Sequence, residues 1–299
     1  MPTEPDENGE FFDDLDGDPA PAEFDPRSVP VRWSWLSRFS LSAAHARHAA
    51  NRGNDDAGSL AMRLGTGVHA VTFGQPFAVY TETKTRRGKV WDEFQHEHVR
   101  RLGPHAPILN EREYAHAKAM ADALRADPIA APILFGEGVE HEKLIEWERD
   151  GRRCRSRLDA VLPGCWIADL KTCRTAQPAR FVRAATWAGY PGQLCFYDEA
   201  DAYHTGRLGP DGRVEHEIPL YIVAIESTPP YVVVTYQLDE FAIELGRRTV
   251  GAHWSELRVA ESSGYWGGYV STVATFTADD PDETMGLAVP RERPSKDAA

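Results

Sequence analysis

The spacing of apolar positions divides the chain into helical regions on either side of a central group of strands. Apolar residues at helical spacing predict helices over about residues 34–50, 60–73, 111–126, 178–202 (interrupted near Tyr190) and 239–261. Alternating or short apolar runs predict strands at about residues 137–147, 154–162, 165–172, 218–226 and 231–238. Helices before and after a run of strands are typical of an α/β sandwich.

The two ends of the chain differ from the middle in composition. Residues 1–26 contain ten acidic residues and no Lys or Arg, and residues 279–299 are rich in proline and charge. These compositions predict disordered tails on either side of one domain at 27–278. The tails also account for the whole net charge of −13, so the predicted domain is neutral and its charges can be arranged locally.

Several broad classes of protein are excluded by simple features. The apolar stretches have the length of strands, which is too short to cross a bilayer. The acidic N-terminus lacks the apolar region of a secretory signal. The four cysteines, Cys154, Cys165, Cys173 and Cys195, contain no CxxC pair and are too few for a disulfide framework. We therefore expect a cytoplasmic protein without a membrane partner.

Two basic runs stand out within the neutral domain. One contains Arg149, Arg152, Arg153, Arg155 and Arg157, and the other contains Lys84, Arg86, Arg87 and Lys89. Such runs are either solvated surface segments or contacts for phosphate groups, which depend on local charge.

The segment RSRLDAVLPGCWIADLKTC carries the strongest chemical signal. Alternate residues of a strand share a face, so Asp169 and Lys171 point the same way. A three-residue loop at 163–165 would place Asp159 directly opposite Asp169, whereas a two-residue loop would place them on opposite faces. We expect the three-residue loop or a bulge.

Two neighbouring carboxylates repel each other, and a divalent cation relieves that repulsion. Oxygen ligands suit Mg²⁺, which keeps several waters and bridges to phosphate. The ammonium group of Lys171 could stabilise charge on an attacked phosphate or lower the pKa of the attacking water.

Two further segments add candidate residues. GYPGQLCFYDEAD places Gln193 and Tyr197 four residues apart on one helical face, with Pro191 suited to the first turn. MRLGTGVHA places His69 in a helix that we expect to be entered through two glycines. Taken singly, each of these residues would be an ordinary structural residue.

Together these segments resemble the PD-(D/E)xK nuclease superfamily, and within it the exonuclease VIII (RecE-like) group of phage and prophage recombination exonucleases. The resemblance covers about residues 34–269 and rests on six segments in the right order: MRLGTGVHA, VEHEKLIEW, RSRLDAV, IADLKT, GYPGQLCFY and VAIESTPPYVVVTYQLD. It implies a restriction-endonuclease-like αβββαβ core, with a central mixed sheet flanked by helices.

The resemblance also implies a role for each matching residue. The implied metal ligands are His69, Glu142, Asp159, Asp169 and the backbone carbonyl of Leu170. Lys171 would be the catalytic lysine, and Gln193 and Tyr197 would either hold DNA or order that lysine. Glu140 and Glu146 share the parity of Glu142 along the first strand, so they remain alternatives for its acidic residue. The implied DNA contacts are Arg152, Arg153, Arg155, Arg157 and Arg174.

The implied activity is exonucleolytic degradation of linear double-stranded DNA, from 5′ to 3′, to leave 3′ single strands for recombination. Mg²⁺ would be the cofactor and Mn²⁺ could replace it. A homo-oligomer and a single-strand annealing protein are the implied partners. An endonuclease or repair nuclease of the same fold, or an inactive DNA-binding module, are the alternatives.

Two details separate this chain from parts of the superfamily. Leu158 stands where the superfamily's name has proline. No cysteine precedes Cys154 or follows Cys195, so we expect no iron–sulfur cluster of the kind held by some relatives. The acidic N-terminal tail could mimic DNA over the basic residues, but we favour a role in solubility.

Overall fold

The structure is a computed structural model that describes residues 24–52, 60–83 and 85–269. Its helices are α1 (Trp33–Leu36), α2 (Ala43–Arg52), α3 (Leu60–Phe73), α4 (Lys89–Leu102), α5 (Glu111–Ala126), α6 (Ala130–Phe135), α7 (Pro178–Trp187), α8 (Tyr190–Thr205) and α9 (Glu240–Ser263), with 3₁₀ turns at Pro26–Ser28 and Ser37–Ser40. Its strands are β1 (Ala78–Tyr80), β2 (Ile108–Asn110), β3 (Glu140–Arg149), β4 (Arg152–Leu162), β5 (Trp166–Cys173), β6 (Leu220–Glu226) and β7 (Val233–Gln237).

A five-stranded mixed sheet with the order β3-β4-β5-β6-β7 forms the centre of the fold. Neighbouring strands are antiparallel except β5 and β6, which are parallel and are joined by α7 and α8. A parallel pair needs such a crossover connection, and a helix is its usual form. The predicted α/β fold with a central mixed sheet flanked by helices is confirmed.

The loop between β4 and β5 has the three residues that the positions of Asp159 and Asp169 predict. Leu162 pairs with Trp166, which leaves the three residues 163–165 in the loop. Gly164 adopts a φ of +69° there, a left-handed conformation that glycine tolerates without a steric cost. The pairing of β4 with β5 extends from Leu162–Trp166 to Ala160–Ala168 and ends one position before Asp159 and Asp169. The predicted three-residue loop is confirmed.

Two apolar clusters sandwich the sheet. One is formed with α1, α2, α8 and α9 and includes Trp35, Leu158 and Phe196, and the other is formed with α3, α5 and α6 and includes Met120 and Leu170. Sheets with helices packed on both faces bury the apolar residues of both faces. The sheet therefore supplies a rigid support for side chains at the ends of its central strands.

Several elements differ from the sequence-based prediction. The region expected to be helical over 34–50 is divided into α1, a 3₁₀ turn and α2, and the glycines of MRLGTGVHA lie inside α3 rather than before it. The pattern gave no indication of the parallel pair β1–β2, of α4 or of α6. Strands of three residues are too short for an alternating pattern to be recognised.

The predicted tails lie mostly outside the described residues. Residues 24–26 are inside, where the side chain of Asp25 caps the 3₁₀ turn and Pro26 is buried. Among the described residues, no helix combines the length and apolar character needed to cross a membrane.

Candidate metal centre

Three side chains that could bind a metal ion meet where α3 crosses the strands. His69 Nδ1 lies 3.6 Å from Glu142 Oε1 and 3.6 Å from Asp159 Oδ1, and the potential ligand atoms of the three residues all lie within 4.8 Å of one another. All three side chains are largely buried. The structure therefore brings together the predicted ligands from α3, β3 and β4.

The local backbone explains how these residues meet. A Cβ atom at Gly65 would lie 3.2 Å from Thr172 Oγ1, and one at Gly67 would lie 2.5 Å from the Leu109 side chain. The two glycines therefore let α3 pack close to β5 and β2, which brings His69 to the sheet. Glu142 has a left-handed φ of +49°, and no other residue of β3 has a positive φ.

The alternation of β4 side chains between the two faces of the sheet is broken at Asp159. Leu158 packs in the cluster with α8, whereas Ala160, two residues later, packs in the cluster with α3 and α5. The pairing of β3 with β4 is also interrupted between His141–Ala160 and Lys143–Leu158, where Glu142 and Asp159 lie opposite each other. The interruption coincides with the two acidic residues.

The peptide groups on either side of Leu170 hold two of these side chains in place. The Leu170 N–H donates to Asp159 Oδ2 at 2.8 Å, and the Leu170 carbonyl oxygen lies 2.9 Å from His69 Nε2. If Nε2 donates its proton to this carbonyl, Nδ1 is directed toward Glu142 and Asp159, where it can donate a second proton to the carboxylates or, after losing it, coordinate a metal ion with its lone pair. The Leu170 carbonyl, also predicted as a metal ligand, instead lies within hydrogen-bonding distance of His69 Nε2, on the side of the ring away from Nδ1.

The predicted metal ligand Asp169 lies outside the cluster of His69, Glu142 and Asp159, in a fully buried part of the site. Its Oδ2 is 2.5 Å from Lys171 Nζ, and its Oδ1 accepts a hydrogen bond from Gln193 Nε2 at 3.2 Å. The same Nε2 lies 2.9 Å from Tyr197 Oη, to which it also donates. Gln193 and Tyr197 are therefore connected to Lys171 through Asp169.

The charges of the site shift the ionisation of its members. Burial disfavours the charged form of His69, but Asp159 and Glu142 outweigh it and raise the pKa to about 9. Burial, reinforced by Asp159, raises the pKa of Asp169 despite the opposing effect of Lys171. Burial also disfavours the Lys171 ammonium, yet Asp169 and Asp159 raise its pKa, so Lys171 remains cationic.

These distances are close to those between the ligands of a small divalent ion, although they match neither octahedral separation. Two ligands of an octahedral ion at about 2.1 Å are about 3.0 Å apart when adjacent and about 4.2 Å apart when opposite. The separations between His69 Nδ1 and the two carboxylates lie between these values. The raised pKa of His69 shows that the site has an excess of negative charge, which a bound cation would neutralise.

The structure places the alternative acidic residues of β3 elsewhere. Glu140 Oε1 is 3.0 Å from Lys143 Nζ, and Glu146 Oε1 is 2.5 Å from Arg155 Nη2. Only Glu142 of these three joins the cluster formed by His69 and Asp159.

The predicted DNA-contacting arginines divide into buried and exposed residues. Arg152 is 6% exposed; it forms an ion pair with Glu261 at 2.8 Å and donates to the carbonyls of Pro26 and Val29. This placement argues against a contact between Arg152 and DNA, because its donors are used inside the protein. Arg153, Arg155 and Arg157 lie on the outer side of β4, and Arg174 is exposed after β5.

Most of the exposed basic residues in these runs have partners in the protein. Arg153 donates to the Ser28 carbonyl, and Arg155 pairs with Glu146. Arg157 Nη1 lies 4.0 Å from Glu142 Oε2, at the edge of the metal cluster. In the second run, Arg86 pairs with Glu113, and Lys84 lies outside the described residues.

One residue of the site was missed by the sequence analysis. The ring of Tyr190 lies 4.8 Å from Lys171 Nζ, in a cation–π contact at the start of α8. Tyr190, Gln193 and Tyr197 are spaced at three and four residues along α8. This helical spacing places all three side chains on one face of α8. A site that includes Gln193 and Tyr197 is therefore expected to include Tyr190 as well.

Comparison with family models identifies the protein family of this chain. Residues 33–271 match the model of the PDDEXK-like domain of unknown function (DUF3799). The chain belongs to this family. The match extends across most of the chain and includes every residue of the site. PDDEXK-like nucleases usually use divalent metal ions, which agrees with the cluster at His69, Glu142 and Asp159.

One solved structure supports the fold of this PDDEXK-like domain. A putative exonuclease from Eubacterium rectale is similar with a TM-score of 0.54 and 14% identity, over 85% of this chain and 92% of that chain. An alkaline exonuclease from Laribacter hongkongensis is 16% identical over 68% of this chain and 93% of that chain, with a TM-score of 0.27. A search of curated proteins gave no match.

Proposed function

We propose that this protein is a metal-dependent exodeoxyribonuclease that degrades linear double-stranded DNA. The observation that carries the proposal is the meeting of His69, Glu142 and Asp159 beside the buried pair of Asp169 and Lys171. A group of acids with no cationic neighbour would suit many metal-binding roles. A constantly charged lysine beside the acids suits a site that must also accept phosphate.

Each residue has a distinct task in the proposed reaction. His69, Glu142 and Asp159 would hold the divalent ion, which supplies a polarised phosphate and a more acidic water when bound. Lys171 presents a positive charge to the scissile phosphate, and its raised pKa makes it unsuitable as a general base at neutral pH. Gln193 orients Asp169 by a hydrogen bond, and Asp169 in turn orients Lys171.

The finer features of the proposal are supported by the resemblance of the sequence to RecE-like exonucleases. Mg²⁺ is the proposed cofactor, and Mn²⁺ can replace it. Degradation runs from 5′ to 3′ and leaves 3′ single strands for recombination. A homo-oligomer acting with a single-strand annealing protein completes the proposal.

The most direct experiment compares linear with covalently closed circular duplex DNA in Mg²⁺. We expect the linear form to be consumed from its ends, with early release of a 5′-end label and persistence of a 3′-end label on long single strands. Rapid nicking of closed circles would instead establish an endonuclease. Binding without cleavage of either substrate in Mg²⁺ or Mn²⁺ would establish an inactive DNA-binding module.

A further inference from the structure

Helix α7 follows β5, which carries Lys171, and precedes α8, which carries Tyr190. Its outward surface combines basic residues with an exposed tryptophan. It packs inward through Phe181, whose ring stacks on Tyr236, and through the buried Ala185. Outward it presents Arg180, Arg183 and Trp187, which are three and four residues apart and therefore share a helical face. The indole of Trp187 is 88% exposed.

The charge of this surface is uniformly positive. Residues 174–190 contain three arginines, at 174, 180 and 183, and no aspartate or glutamate. No ion pair joins these arginines to a carboxylate among the residues that the structure describes. Arg155, Arg247 and Arg248, by contrast, each pair with a glutamate. The guanidinium groups of the α7 surface are therefore available to an anionic ligand.

The α7 surface is adjacent to the proposed catalytic site. Trp187 is three residues before Tyr190, whose ring contacts Lys171. Three residues of extended chain span at most about 11 Å between α-carbons. At the other end, Arg174 is three residues after Lys171 on the chain leaving β5. A strand of nucleic acid held at Lys171 would thus lie within a few nucleotides of this surface.

We propose that Arg174, Arg180, Arg183 and Trp187 form a binding surface for single-stranded DNA, with Trp187 stacking on an unpaired base within a few nucleotides of the scissile phosphate. The inference rests on the proposed nuclease function and specifies the form of its substrate. Aromatic side chains stack on bases of any sequence, while basic side chains follow the backbone. A base within a duplex has both faces covered, so Trp187 selects a frayed end or a single strand.

An exposed tryptophan also suits a contact between protein surfaces. A groove of about 460 Å³ beside Trp187 is lined by Leu41 and Leu245, among other residues, and a second copy of the chain could cover it. The charge favours nucleic acid, because arginines without carboxylate partners would repel the same surface of a second copy. The experiment below separates the two occupants.

Binding of the full-length protein to a single-stranded oligonucleotide and to a blunt duplex should be measured in EDTA, so that no cleavage competes. We expect Trp187→Ala to weaken single-strand binding by about tenfold, as expected for the loss of one stacked base. The effect on the blunt duplex should be smaller. Trp187→Phe should retain most of the affinity, whereas Trp187→Leu should behave like alanine because it lacks an aromatic face.

Tyr265→Ala is the matched control, since Tyr265 is another exposed aromatic residue, at the C-terminal end of α9. Its affinity should equal that of the wild type. Full affinity of the leucine variant, or a change in sedimentation without a change in DNA binding, would overturn the proposal in favour of a protein interface. Equal loss on both substrates would overturn the preference for unpaired bases.

The arginines are tested by the salt dependence of single-strand binding. Replacing Arg180 and Arg183 together by glutamine should reduce the slope of log affinity against log salt by about 1.4, or about 0.7 for each phosphate contact. Arg248→Gln, which removes an arginine paired with Glu244, should leave the slope unchanged. An unchanged slope in the double variant would refute the role of these arginines.

Cleavage by the wild type in Mg²⁺ should be measured separately. If the wild type does not cleave DNA but the binding results follow the pattern above, the proposed nuclease function fails and the DNA-binding surface stands. If the wild type cleaves linear DNA and the Trp187 variants bind normally, only the present inference fails.

Discussion

Glu142 lies opposite Asp159 at the one position between Glu140 and Arg149 where the pairing of β3 with β4 is interrupted. Two carboxylates placed directly across a strand pair repel each other. Glu142 also holds a left-handed φ of +49°, which costs free energy for a residue other than glycine. A bound cation would offset both the strain and the repulsion at this point.

The first prediction concerns metal binding by this pair. The wild-type protein should be stabilised by Mg²⁺ or Mn²⁺, by about 2.7 kcal/mol at a hundred times the dissociation constant. Glu142→Gln and Asp159→Asn should each remove most of this stabilisation, because a neutral amide is a weaker ligand for a divalent ion. Thermal denaturation with and without metal measures the effect. Glu146→Gln is the matched control on β3, and an equal loss there would contradict the assignment.

The second prediction separates metal binding from catalysis. Lys171→Ala should lower cleavage by at least about a hundredfold, because the site loses its fixed positive charge toward phosphate. Its metal-induced rise in Tm should remain, since the lysine is not a ligand. Asp159→Ala and Asp169→Ala should also abolish cleavage, with the fold retained by circular dichroism. Normal cleavage by any of the three variants would remove that residue from the mechanism.

The sequence predicts much of this site because its residues obey simple periodicities. The alternation in IADLKT places Asp169 with Lys171, and the loop at 163–165 has the length that the sequence predicts. The helical spacing of Gln193 and Tyr197 places both on one face of α8. These relationships are local, so they depend on the strand and helix periods alone.

Other features depend on contacts that no local period encodes. The change of face at Asp159 breaks the alternation that the sequence analysis assumed, and it arises where α3 brings His69 against two strands. The burial of Arg152, by contrast, follows from the strand period. It falls in the buried register of Cys154, Ser156 and Leu158, whereas Arg153, Arg155 and Arg157 alternate outward.

The third prediction follows from the burial of Arg152. Arg152→Ala should destabilise the fold by about 3–5 kcal/mol, because it leaves Glu261 buried without its main partner. Arg153→Ala, at the exposed neighbouring position, should change the free energy of unfolding by less than about 1 kcal/mol. Chemical denaturation measures both. Similar stability of the two variants would show that the ion pair with Glu261 is not structural.

The fourth prediction concerns the identity of the metal. Mg²⁺ and Mn²⁺ should support cleavage, whereas Ca²⁺ should bind without supporting it. Calcium accepts longer bonds of 2.3–2.6 Å and more ligands, so it does not hold the attacking water in the geometry of a small octahedral ion. Cleavage should be measured after removal of contaminating metals with a chelator. Robust cleavage in Ca²⁺ alone would count against the proposed chemistry.

The last prediction uses an ion pair on the far face of α8, where Glu199 lies 2.7 Å from Arg149. Burial raises the pKa of Glu199 to about 7, and Arg149 opposes this only in part. The folded state therefore binds a proton on Glu199 more tightly than the unfolded state does. Protonation of Glu199 therefore stabilises the folded state. This stabilisation is fully present below about pH 4.5, the ordinary pKa of glutamate, and is lost as the pH rises through about 7.

Glutamine resembles the protonated glutamate, so Glu199→Gln should remove this pH dependence. Between pH 4.5 and 8 the stability of the wild type relative to the variant should fall by about 3 kcal/mol, at about 1.4 kcal/mol for each unit of pKa shift. Urea denaturation at several pH values measures the difference. Glu146→Gln, which breaks an exposed pair with Arg155, should give a small difference throughout. A constant difference for Glu199→Gln would show that its carboxylate is ionised at no cost in the folded protein, and that Arg149 fully offsets its burial.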